Sequence, residues 1–108
     1  MKISGAILES MAMFTLVIVY NSLHNSKMAP QHISSVSIAM VYLITISSSY
    51  YHSGGCLNVA FLLGPSIMSK NQDDWLYYTV GQLLGGMFGA ILFYVSLKKK
   101  KSETVDPE

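Results

Sequence analysis

The sequence predicts an all-α membrane protein: three transmembrane helices and a re-entrant half-helix. Apolar residues make up 51% of the 108-residue chain and charged residues only 12%, about half the charged share usual in a soluble domain. The charges are also clustered, which leaves three long stretches almost bare. Between the second and third of these lies a segment too apolar for a surface loop and too broken by glycine to cross a bilayer.

The first stretch, residues 5–23 (GAILESMAMFTLVIVYNSL), carries one charge, Glu9. It is close to the roughly 20 residues a helix needs to cross the hydrocarbon core. A cleaved signal peptide with Lys2 as its basic end is the competing reading. Against it stand the length of the apolar region, its interruption by Glu9 and the lack of a small-residue cleavage site. The polar HNSKMAPQH follows, with Pro30 as a breaker. Residues 33–51 (ISSVSIAMVYLITISSSYY) carry no charge, although six serines dilute their hydropathy. Residues 76–97 (LYYTVGQLLGGMFGAILFYVSL) are likewise uncharged. Trp75, Tyr77 and Tyr78 open this last span as an interfacial aromatic belt. Lys98 to Lys101 close it, and SETVDPE has the composition of a disordered tail. Residues 1–97 thus form the membrane unit, residues 98–108 a lysine-rich tail.

The intervening segment, residues 52–69, begins HSGGCLNVAFLLGPS. Gly54 and Gly55 permit a sharp turn, and Asn58 is a strong helix N-cap type. Residues 59–63 (VAFLL) read as a short helix stopped near Gly64-Pro65. Irregular backbone at membrane depth is tolerated only where it is buried in protein or lines a cavity. The segment is therefore expected to dip into the membrane as extended backbone and return as a half-helix. Its positive N-terminal end and the Asn58 amide would then lie near a polar path. A plain extracellular loop with a chance asparagine is the alternative.

All seven basic residues are lysines. With three crossings, Lys27 and Lys98–Lys101 share one side, and Lys2 and Lys70 the other. The positive-inside rule places the five, and with them the C-terminus, in the cytoplasm. An outside N-terminus that begins Met-Lys raises the expectation of a further segment upstream.

These residues resemble a known family. SGGCLNVAFLLGPS is similar to the second re-entrant loop of the aquaporin/major intrinsic protein family, whose pattern is SGxxxNPAxxxGP. Glu9 resembles the acidic residue of that family's fourth helix, residues 33–51 its fifth, and the W-x-Y-x-x-x-G-x-x-x-G-G run from Trp75 its sixth. The resemblance covers the second half of the family's inverted repeat. It implies that Gly55, Cys56, Asn58, Val59, Ala60 and Phe61 line a pore, with Ile46 at the filter position of the fifth helix. It also implies that the Glu9 carboxylate holds backbone amides of the loop; an outer position reaching water is the alternative. Val59 stands where the motif has proline, which loosens the start of the half-helix. Phe61 stands where the filter usually has arginine, which removes a fixed charge and five donors. Small neutral solutes such as glycerol then become as plausible as water.

Gly81, Gly85 and Gly89 form successive G-x-x-x-G steps, which let another helix approach closely, within this chain or outside it. Cys56 is the lone cysteine and excludes an internal disulfide; a pore-exposed and a buried thiol are both open. The three histidines, at 24, 32 and 52, lack metal-ligand spacing. No cofactor, metal or nucleic acid is indicated, and no nucleophile with a nearby base suggests an enzyme. Two functions remain. One is half of a channel for water or small neutral solutes, completed by another copy or by a first-half or full-length chain. The other is a truncated or non-conducting membrane subunit.

Overall fold

A computed structural model describes residues 2–25, 30–69 and 73–105, all helical apart from short connections. Helix α1 spans Lys2–Asn25, α2 Gln31–Ser53, α3 Val59–Ser69 and α4 Asp73–Val105. Of these, α1, α2 and the Trp75–Val105 part of α4 are long and apolar enough to cross a membrane, whereas α3 is too short. Lys27 and Lys70, on which the lysine asymmetry partly rests, lie outside the described residues, as do 71–72 and 106–108.

Two helices extend further than their local signals suggest. The short helix does not stop at Gly64-Pro65 but runs through both to Ser69. Pro65 lacks an N–H, so one intrahelical bond is lost. In the next residue, the Ser66 hydroxyl donates to the Leu62 carbonyl at 2.7 Å. The third span does not end at the lysines either, and α4 carries them on as helix to Val105. Lysine is a good helix former, so a change of solvent at Leu97 is no reason for the helix to break. The disordered tail expected from Ser102 is thus helical over 102–105.

A single register governs the contact between α1 and α4. A Cβ on Gly81 would meet the Ala6 carbonyl, one on Gly85 would overlap the Ser10 carbonyl, and one on Gly89 would press on the Phe14 carbonyl at 3.2 Å. Each pair advances by four residues on both helices, so α1 and α4 run parallel and nearly in contact along their backbones. The partner of the glycine stripe is therefore α1. Close backbone approach of this kind replaces the hydrophobic driving force that lipid does not provide. Helix α2 runs antiparallel to α1, with Ser49 and Ala12 buried near their junction. Serine and threonine hydroxyls along α2 are turned back onto its own backbone. Ser35, Ser37, Thr45, Ser47 and Ser48 each donate to the carbonyl one turn back, at 2.8–3.0 Å.

Substituting Gly85 by alanine is expected to lower stability by about 1–3 kcal/mol, the usual range for overpacking a close contact. At Gly64 nothing lies within 4 Å of an added Cβ, so Gly64→Ala is expected to be neutral or stabilising by up to about 1 kcal/mol. Thermal unfolding of both variants in micelles checks the pair; equal losses at both sites would contradict the seam.

Candidate functional site

The centre of the molecule is polar in a chain that is otherwise apolar outward. Glu9, Ser49 and Gln82 are buried, and Glu9 is fully so. Donors from three other elements converge on the Glu9 carboxylate. At Oε1 it accepts from the hydroxyl of Ser53, the last residue of α2. At Oε2 it accepts from the Leu57 backbone N–H at 3.1 Å and from Gln82 Nε2, on α4, at 3.0 Å. A carboxyl group at membrane depth demands such partners. The Gln82 amide can face it only with its NH₂ end, because its carbonyl end would set acceptor against acceptor. That orientation leaves Gln82 Oε1 buried without a hydrogen-bond partner among the described residues.

These bonds fix the course of the loop at residues 54–58. Gly54, in the left-handed region at φ 82°, ends α2 and donates its N–H to the Tyr50 carbonyl at 3.0 Å. Gly55 follows with φ 63°. A Cβ there would lie 2.8 Å from the Ile46 carbonyl oxygen, so both conformation and space require glycine. Leu57 also holds a positive φ, 45°, although it is not glycine. Such a conformation costs about 1–3 kcal/mol and persists only when its surroundings over-determine it. Here the surroundings are visible: Leu57 is 3% exposed, and its N–H is bound to Glu9.

The loop therefore turns back into the bundle. Ile46 lies about 10 Å down α2 from Ser53, at 1.5 Å per residue, and Glu9 a similar distance from the start of α1. Helix α3 then begins just after the buried Leu57, at the half-buried Val59. Asn58 caps it, with Oδ1 accepting the Ala60 N–H at 3.0 Å and its backbone carbonyl accepting from the Leu62 N–H at 3.1 Å. With Oδ1 engaged, the Asn58 NH₂ is the end available to an outside acceptor.

The structure brings Ile46, Gly55, Cys56 and Leu57 together around the turn. Asn58, Ala60 and Phe61 are exposed beyond it, Phe61 at 67%. Cys56 is a free, half-buried thiol, and Val59 is half-buried where α3 begins. Helix α3 has no buried residue, and among the helix pairs its contacts are chiefly with α4. Its outer face, with Asn58 and Phe61, is thus an open wall. Sequence reasoning did not single out Ser53 as a partner of Glu9. Nor did it give a role to Gln82, which follows Gly81 directly on α4. The available signal was that Gln82 is the one amide in an otherwise weakly polar span.

A sequence profile described as Major intrinsic protein matches residues 1–93. Among curated proteins, the chain is 33% identical over 78 residues to an aquaporin of Enterocytozoon bieneusi (strain H348), covering 72% of this chain and 30% of that protein. It is 29% identical over 107 residues to Aquaporin-5 of Botryotinia fuckeliana (strain B05.10), covering 97% and 19%. It is 26% identical over 94 residues to Aquaporin-8 of Mus musculus, covering 86% and 35%. The chain thus spans about a third or less of the length of these relatives. No solved structure matches it.

Replacing Glu9 by alanine strands the Leu57 N–H and the Gln82 NH₂, at about 1–3 kcal/mol for each buried donor left bare. Glu9→Ala should therefore lower thermal stability in micelles by a few kcal/mol and accelerate maleimide labelling of Cys56. Glu9→Gln should fall between wild type and Glu9→Ala. Unchanged labelling in a destabilised Glu9→Ala protein would dissociate the carboxylate from the loop.

Proposed function

Since this chain belongs to the Major intrinsic protein family, we propose that it forms one wall of a transmembrane path for water or a small neutral solute such as glycerol. The observation that supports this most is the loop held by Glu9. It would bring the N-terminus of α3 and the Asn58 amide to membrane depth, on a face that this chain leaves open. A solute hydroxyl or water oxygen would accept from Asn58 Nδ2 there, beside the positive end of the α3 dipole. Gly55, Cys56, Val59 and Ala60 would line the path near the turn, with Ile46 and Phe61 as its apolar constriction. No side chain among these carries a fixed charge, which favours neutral solutes over ions.

The open wall also requires a second wall. A lone half-helix cannot enclose a pore, and the Asn58 NH₂ facing lipid would find no acceptor. The path would be completed by another copy or by a first-half or full-length channel chain. The lysine distribution favours a single orientation, with the C-terminus in the cytoplasm; an antiparallel pair of identical chains would need both orientations. A non-conducting subunit that packs against longer relatives is the second reading, and the same exposed Phe61 surface favours it.

Osmotic swelling of proteoliposomes decides between them. A conducting assembly should raise water or glycerol permeability over empty vesicles. Asn58→Asp should lower that permeability several-fold, through a charge in the path, and Phe61→Trp through bulk at the constriction. Permeability equal to empty vesicles, with protein inserted and helical, would exclude the path for the chain alone. Restoration by a co-reconstituted partner chain would then identify the missing wall.

A further inference from the structure

We propose that Lys98, Lys99, Lys100 and Lys101 form a rigid collar that binds anionic phospholipid headgroups in the leaflet at the C-terminal end of α4. The continuity of the helix is the observation that carries this. From Trp75 to Leu97 the apolar part of α4 measures about 34 Å at 1.5 Å per residue, slightly more than the ~30 Å hydrocarbon core. The four lysines occupy the next 6 Å or so. That is the depth of the headgroup layer, since a bilayer of about 40–45 Å leaves roughly 5–7.5 Å on each side of its core.

Helical geometry turns this run into a ring. Successive residues rotate by about 100°, so four in sequence cover some 300° of the circumference. Whichever face α4 presents to α1, lysines still face lipid. All four are exposed. Their long stems can lie along the core while the ammonium groups reach phosphate. On an unstructured tail the same charges would spread over a much larger volume. Here the backbone is ordered on both sides of the ring. Beyond it the Thr104 hydroxyl stands 3.2 Å from the Lys100 carbonyl and 2.9 Å from that of Lys101. Glu103, exposed on the same segment, offsets one of the four charges.

The test uses the full chain, ¹⁵N-labelled, in micelles of a neutral detergent. Phosphatidylglycerol, phosphatidylcholine and inorganic phosphate are titrated separately, and amide shifts are followed by NMR. The expected result is a saturable shift confined to residues near 98–105 with phosphatidylglycerol. Phosphatidylcholine and inorganic phosphate should leave these amides in place. Raised salt should weaken the response, because the Debye length falls to about 3 Å at 1 M. Each single Lys→Gln change should lower apparent affinity roughly fivefold, the equivalent of ~1 kcal/mol per lysine near an anionic surface. The quadruple Lys→Gln protein should lose the response while the signals of α1 and α2 stay in place, which separates loss of binding from loss of fold. Equal responses to the two phospholipids would overturn the proposal. So would an equal response to inorganic phosphate, or one that survives the quadruple substitution.

Discussion

The arrangement depends on one buried carboxylate. Glu9 lies inside a chain whose outer surface is mostly hydrocarbon, where a bare carboxylate would be very costly. Its two oxygens therefore select the places where donors can be supplied. Those donors come from the end of α2, from the backbone of the loop and from the middle of α4. Each bond joins elements far apart in sequence, so satisfying Glu9 and assembling the three-dimensional fold are the same event. The left-handed conformation of Leu57 follows from this. A residue type that avoids positive φ is held there because its N–H is needed at the carboxylate.

Around this polar centre the helices associate by a different physics. In lipid, burying apolar side chains between helices gains little, because acyl chains are equally apolar. What remains is close packing, and Gly81, Gly85 and Gly89 allow it by letting α4 lie almost against the carbonyls of α1. The large residues are left outward. The two devices reinforce each other: the glycine seam fixes the axial register of α1 and α4, and that register sets Gln82 opposite Glu9.

Much of this was legible in the sequence, and the reasons are local. Span positions follow from hydropathy, because the bilayer imposes a length. The turn at 54–55 and the cap at Asn58 follow from backbone rules that need only near neighbours. The glycine spacing announced a close helix without naming it. What the sequence concealed was relational. Ser53 is one serine among many on α2, and nothing local distinguishes it as the one that meets Glu9. Gln82 is more conspicuous, yet its partner lies 73 residues away. The two boundary errors share one cause, for Pro65 and the lysines were treated as stop signals. Proline removes one bond from a helix already under way, and lysine removes none. In both places continuation costs less than local punctuation rules imply.

The sequence separation of the Glu9 contacts has a consequence for how the chain is made. Leu57 follows Glu9 by 48 residues and Gln82 by 73, and chains are synthesised at about 5–20 residues per second. The carboxylate is therefore made some 4–15 s before its last partner, on a segment already apolar enough to leave water. During that interval α1 has two poor options: to wait in the insertion machinery, or to enter the bilayer tilted so that Glu9 reaches the interface. The interaction that secures the finished fold is thus the one that delays α1 in committing to the membrane.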